Sequence, residues 1–335
     1  MANAATRPVV SVALCTHNGS AYIVEQVTSI LAQSVPAAEI VLSDDASSDD
    51  TVDLVRAAVD AHNASGASEV GLRIMRNTVA LGVARNFEQA ISATTGEFVA
   101  LCDQDDVWQP QKLERALAAL AVQPAVSLVF SDARMVDADG SALGLSLFQT
   151  LSMTRRERRL IRRGDAFAAL LGRNLVTGAT VVFRRALLPV AEPFPADWIH
   201  DEWLAAVAAA TGRVLMLDEQ LVDYRQHGAN QIGAARLSAS AKLRRVAEGR
   251  AARNARLLAR ASELVDRLER LGGEVSPGIL AEARKKLEHE SVRSALPAAR
   301  GARLPAVVGE FLLGRYTRYG RGLMDAGRDL LQPAR

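Results

Sequence analysis

The chain has 335 residues, 49% hydrophobic and 23% charged, and its 40 Lys plus Arg against 38 Asp plus Glu leave a formal charge of +2. That composition excludes collagen-like, low-complexity and largely disordered chains, and a balance so near neutral argues against a dedicated nucleic-acid binder. No uncharged apolar run reaches 18 residues and MANAATRPVV lacks a basic segment leading into an apolar one, so a cytoplasmic protein, neither secreted nor membrane-spanning, is expected.

Short β-branched runs alternate with helical patterns from Val9 to about Val136, the sequence form of βα units on a mainly parallel sheet. The first predicted strand, Val9–Cys15, leads into Thr16-His17-Asn18-Gly19, and Ile23, Val27, Ile30 and Leu31 then recur at helical spacing. The second, Glu39–Ser43, ends in Asp44 and Asp45. Ser48, Asp49 or Asp50 suits the N-cap of the next helix, marked by Val52, Val55 and Val59, but capping leaves Asp44 and Asp45 unexplained. A third strand, Gly71–Met75, precedes NTVALGVARN. The fourth, Glu97–Cys102, runs into Asp103-Gln104-Asp105-Asp106, three acids in four residues. Crowded carboxylates repel one another and resist desolvation, so they call for a cation, and hard oxygen ligands suit Mg²⁺ or Mn²⁺. Leu113, Leu117 and Leu120 mark a helix and Val126–Phe130 a fifth strand; the first 130 residues thus read as a doubly wound nucleotide-binding half. Cys15 and Cys102 end apolar runs and read as reduced core thiols.

Residues 131–173 are less regular, and TRRERRLIRR packs six arginines into Arg155–Arg163, either a solvated helix or loop or a contact for phosphate or lipid headgroups. Strand-like runs return at Ala179–Phe183 and Val214–Leu217, with a helical stretch from Glu202 to Ala210 between them. Asp201 and Glu202 lie between Trp198 and Trp203, and Tyr224-Arg225-Gln226-His227 opens a glycine-bounded loop reaching Gly233.

CTHNG, SDDASSDDT, DQDDVW, HDEWL and YRQHGANQIG, in that order from Pro8 to Gly233, resemble an inverting family 2 glycosyltransferase of the GT-A fold. The wording of HDEWL and YRQH is similar to the bacterial branch that builds surface polysaccharides, often rhamnosyltransferases. The resemblance implies that Thr16, His17, Asn18, Asp45, Asn77, Arg85, Asp103 and Gln104 bind a nucleotide sugar. It implies that Asp105 and His227 hold the metal, with Asp106 sharing that role in an overlapping frame. Asp201 matches the catalytic base, with Glu202 as the rival because the family's Glu-Asp pair reads His200-Asp201 here. Gly178 and Trp203 fall on the acceptor side. The expected partners are a nucleotide-sugar donor, dTDP-rhamnose favoured over UDP-hexoses, and a glycan or lipid-linked acceptor. A sugar-nucleotide pyrophosphorylase and a non-catalytic nucleotide-sugar-binding protein are the competing readings.

The near-neutral total divides at about residue 234. Residues 235–335 carry 18 Arg and 3 Lys against 11 acids, a surplus of +10, which leaves −8 for the rest. The expected organisation is a catalytic domain over 8–234 and a helical, arginine-rich region over 235–335. In that region Leu257, Leu258, Val265, Leu268 and Leu271 alternate with Arg253, Arg256, Arg260, Arg267 and Arg270 as an amphipathic helix. Two uses stay open for it: packing on the catalytic domain, or docking peripherally on an anionic membrane surface.

Overall fold

The computed structural model describes residues 9–227 and 249–333. They form two compact units, one of 9–153, 176–208 and 212–227, the other of 154–175, 209–211 and 249–333. The expected boundary at 234/235 and the Gly228–Gly233 part of the YRQHGANQIG segment lie outside the described residues.

The first unit is built on β1 (Val10–Thr16), β2 (Glu39–Asp44), β3 (Gly71–Arg76), β4 (Phe98–Cys102), β5 (Val107–Trp108), β6 (Val126–Val136), β7 (Ala142–Ser146), β8 (Val181–Arg184) and β9 (Arg213–Arg225). Among the described residues these make one sheet in the order β3-β2-β1-β4-β8-β6-β9-β5, with β7 paired to β6. The strands β3, β2, β1 and β4 run parallel, whereas β8 is antiparallel to both β4 and β6. Every residue of β1 and β4 is buried, as a parallel strand covered on both faces requires, which is why these strands read as unbroken apolar runs. Helices α1 (Ile23–Leu31), α2 (Thr51–Ala64), α3 (Val83–Ser92) and α4 (Lys112–Ala121) cross between strands. The apolar stripes of α1, α2 and α4, among them Ile23, Val27, Val55, Val59, Leu113 and Leu120, join Val12, Leu14, Ile40 and Leu42 in one core. Burial of each such side chain contributes about 1.5–3 kcal/mol.

From β1 the chain steps outward through β2 to β3 and then returns to β4 on the other flank of β1. That reversal opens a crevice beyond the carboxyl ends of β1 and β4. The pairing of Leu14 with Cys102 sets the segments after Thr16 and after Cys102 side by side at its mouth.

Several elements run beyond their expected bounds. β6 continues to Val136 and β9 to Arg225, because Ser131 and Asp132 in one, and Asp218, Glu219 and Gln220 in the other, interrupt an apolar signal without interrupting the pairing. Tyr224 and Arg225 therefore end a strand, where a loop is expected from the sequence. The irregular segment resolves into α5 (Leu147–Thr150), α6 (Arg155–Arg163) and α7 (Ala166–Leu170). The arginine run α6 is helical because Thr154 and Glu157 form a reciprocal capping box at its start. After α8 (Leu188–Ala191), α9 (His200–Thr211) begins two residues ahead of the predicted Glu202.

In the second unit α10 (Arg250–Leu271), α11 (Pro277–Ser294), α12 (Arg300–Leu312), α13 (Arg315–Tyr319) and α14 (Leu323–Leu331) follow one another. Val265 and Leu268 of the predicted stripe are buried, but so is Arg267, and Leu257, Leu258 and Leu271 are half-buried, so α10 does not divide into one apolar and one cationic face. The interior of this unit is ionic: Arg293 donates to Glu290 and Asp329, and Asp329 also accepts from Arg253, Asn254 and the Tyr316 hydroxyl. No helix among the described residues is long and apolar enough to cross a membrane.

Candidate active site

At the mouth of the crevice the loop after β1 is stitched to the loop after β2. The Thr16 hydroxyl donates to Asp44 Oδ1 at 2.7 Å, and Asp44 Oδ2 accepts from the Ser47 backbone at 3.0 Å. The Asn18 backbone donates to Ser47 Oγ at 2.8 Å, while Asn18 Oδ1 accepts from the Ser48 backbone at 2.9 Å. These bonds hold Asn18 at φ 49° and Ala46 at φ 62°, in the left-handed region that L side chains avoid. The buried Thr16 hydroxyl is thus a bracket for Asp44. Gln104 braces the neighbouring residue: its Oε1 accepts from the His17 backbone at 2.7 Å and its Nε2 donates to the His17 carbonyl at 3.2 Å. His17 and Asn18 themselves are exposed.

Asp45 organises the segment after β3. Its carboxylate accepts from Asn77 Nδ2 at 3.1 Å, from the Leu81 backbone at 2.6 Å and from the Gly82 backbone at 2.9 Å. Asn77 in turn meets Asn86 and Gln89, which bond to Ser43. Arg85 is half-exposed and paired with Glu88.

The segment after β4 holds the electrostatic tension. Burial, with Asp105 and Asp201 nearby and Lys112 opposing, pushes the Asp103 carboxyl up to about 7. Burial, with Asp105 and Asp103 nearby, raises Asp106 well above the carboxylate range; its Oδ1 accepts from the Arg225 backbone at 3.0 Å, and among the described residues its buried Oδ2 has no hydrogen-bond partner. Asp105 Oδ2 lies 2.7 Å from His227 Nε2, and the His227 ring stacks on Tyr22 with centroids 4.9 Å apart. Among the described residues no three His, Cys, Asp or Glu side chains converge as a ready ligand set. Asp105 with His227 nevertheless fits a divalent cation, which commonly takes one or two carboxylates and completes its shell with substrate phosphates and water.

Asp201 occupies the first turn of α9, and its charge adds to the forces that raise the Asp103 carboxyl. Its Oδ2 accepts from the Gly178 backbone at 2.8 Å. A side chain at Gly178 would put a Cβ 2.9 Å from His200 Nε2, so only glycine lets the two segments close to this distance. His200 lies face to face on Phe87, ring centroids 3.8 Å apart, and burial holds it neutral, its pKa near 3. Glu202 is half-buried. Trp203 is fully buried, donates Nε1 to the Ala191 carbonyl at 2.7 Å and packs edge-on against Trp198. It is a core residue, a correction to its expected acceptor-side position.

Two cations that sequence reasoning did not assign to the site lie beneath it. Lys112 is buried, donates Nζ to the Ala179 carbonyl at 2.6 Å and sits 3.5 Å over the Trp108 ring; burial pushes its pKa down to about 7 against the pull of Asp106 and Asp103. Its spacing to Ala116 and Leu120 places it on the apolar stripe of α4, the one available signal. Arg225 donates to the Asp105 and Ala138 carbonyls and to Glu25, and so fixes the β9 end against the acidic turn.

Residues 11–188 match the family model described as glycosyl transferase family 2. An uncharacterized protein of Mycobacterium tuberculosis is 31% identical over 220 residues, 65% of this chain, and the chain spans 58% of that relative's length. An uncharacterized glycosyltransferase of Nostoc is 27% identical over 230 residues, 66% of each chain. The mannosyltransferase PcManGT of Pyrobaculum calidifontis, solved with GDP-Man and Mn²⁺, shares the fold with a TM-score of 0.52 at 21% identity, over 91% of this chain and 76% of that one. The architecture is that of a GT-A glycosyltransferase with a helical C-terminal extension. With its sheet, its acidic switch-point turn and a family match over more than half of its length, the chain belongs to glycosyl transferase family 2.

Proposed function

We propose that this protein is a metal-dependent, inverting glycosyltransferase that moves a sugar from a nucleotide-diphosphate donor to a hydroxyl of a glycan or lipid-linked acceptor in surface-polysaccharide synthesis. The observation that carries the proposal is the facing of the Asp103–Asp106 turn, with its partnerless buried oxygen, by the Asp201 carboxylate. His17, Asn18, Asp45 and Asn77 hold the nucleotide side of the donor. Asp105 and His227, with Asp106, would hold Mg²⁺ or Mn²⁺, which when bound would supply charge neutralisation for the leaving diphosphate. Asp201, oriented by the Gly178 N–H, accepts the proton of the acceptor hydroxyl as its oxygen bonds to the anomeric carbon and the carbon–oxygen bond to the diphosphate breaks. One displacement inverts the anomeric centre. Glu202 is the rival base, and Gly178 lies on the acceptor side.

The resemblance of HDEWL and YRQH makes dTDP-rhamnose the first donor to test, ahead of UDP-glucose and UDP-galactose. The experiment is a thermal-shift and donor-hydrolysis screen of nucleotide sugars with Mg²⁺, with Mn²⁺ and with neither. One donor class is expected to raise the melting temperature in the presence of metal, because a ligand that binds only the folded state stabilises it by mass action. Full turnover by verified metal-free protein, or no stabilisation by any nucleotide sugar with either metal, overturns the reading.

A further inference from the structure

The second unit leaves one helix face uncovered. On α12, Arg303, Val307 and Glu310 turn inward, while Leu304 is 53% exposed, Val308 44%, Phe311 39% and Leu312 80%. Their spacing of four, seven and eight residues from Leu304 sets them along one stripe, and Leu313, 67% exposed, continues it. The helix α14, which packs against α12, starts with the exposed Leu323 and Met324. Scattered surface leucines need no explanation, but a continuous apolar stripe marks an interaction surface.

Exposed arginines lie in the same unit as this stripe. Arg300 is exposed at the start of α12, whose single acid, Glu310, is engaged by His289 and Arg315. In the same unit Arg156 Nη1 donates to the Thr317 carbonyl at 3.5 Å, which sets α6 beside α13, the helix that follows α12. Helix α6 offers exposed Arg155, Arg156, Arg159 and Arg163, and its single acid, Glu157, is bound by Arg173. These arginines differ from Arg293 and Arg303, which are spent inside the unit.

We infer that the stripe Leu304–Leu313, with the arginines of α6, is an interfacial docking surface for an anionic lipid bilayer. Leucine and phenylalanine side chains enter the headgroup region, and guanidinium groups bind lipid phosphates. Charge complementarity favours a bilayer over a second copy of the chain, since two arginine-fringed faces repel each other.

The test is co-sedimentation of the full chain with phosphatidylcholine vesicles, with and without phosphatidylglycerol, at low and high salt. The wild type is expected to sediment with the phosphatidylglycerol vesicles and to be released by salt. The exposed pair Leu312→Asp/Leu313→Asp should lose binding about ten-fold or more, and Arg155→Glu/Arg159→Glu at least as much, since each arginine near such a surface is worth about a factor of five. Unchanged melting temperature and donor hydrolysis without vesicles establish that both variants remain folded, which separates this inference from the catalytic one. Equal binding to neutral vesicles, no binding at all, or binding unchanged in the leucine variant overturns it. A dimer seen by light scattering and dissolved by Leu312→Asp also overturns it, in favour of a second copy.

Discussion

At the end of β4 three carboxylates within four residues press on one another, and one buried oxygen of Asp106 goes without a partner. In the helical unit two carboxylates are buried at least as deeply, yet both are paired: Asp329 accepts from Arg253, Asn254, Arg293 and Tyr316, and Glu290 from Arg293 and Lys286. A matched network is finished chemistry and holds structure. An unmatched one carries a standing cost, retained because a ligand completes it. The same residue types are therefore paired in one region and left partly unpaired in the other, and satisfaction, not density of charge, separates them.

The largest effect is expected from Asp201→Asn, which keeps shape and removes proton acceptance. Turnover should fall by about 10²–10⁴-fold, with donor affinity and melting temperature nearly unchanged, as steady-state kinetics and a donor thermal shift will measure. If most of the activity survives, the base is Glu202, and the contrast loses its catalytic half. Next in size is Asp329→Asn, the mirror experiment. It leaves the buried Arg293 and the half-buried Arg253 without their shared counter-charge, so urea unfolding should show a loss of about 3–5 kcal/mol. A loss below about 1 kcal/mol would mean that this network is no better satisfied than the acidic turn.

Much of the site was legible because parallel strands buried on both faces announce themselves: VVSVALC and FVALC are unbroken, and whatever follows them stands at the mouth of the crevice. Asp45, Asp103, Asp105 and Asp106 are found by that rule alone. Lys112 escapes it, since a lysine two residues after a proline reads as the solvated start of a helix, and only the fold turns it beneath the acids. Trp203 misleads for the opposite reason: tryptophan beside acids suggests a sugar platform, yet its position in α9 faces the core. The full lengths of β6 and β9 are hidden by polar residues that the sheet tolerates. In the C-terminal helices composition counts the arginines without revealing which are paired inside, so a cationic face assigned to α10 gives way to the exposed arginines of α6.

The smallest expected effect comes from the same unit and the same pair of residue types, moved to the surface. Arg284 and Glu269 approach to 2.7 Å with side chains 56% and 43% exposed. Water solvates both ions when they separate, so little is gained on pairing, and holding two long side chains together costs rotamer freedom. Arg284→Gln should therefore change stability by only about 0.2–1 kcal/mol, and less at high salt, where the Debye length contracts. Urea melts of this variant and of Asp329→Asn, taken at low and high salt, separate the two causes. Burial predicts a large, salt-insensitive loss for Asp329→Asn and a small, salt-sensitive one for Arg284→Gln. Comparable losses at both positions would mean that the number of ion pairs, and not their removal from water, holds the helices together.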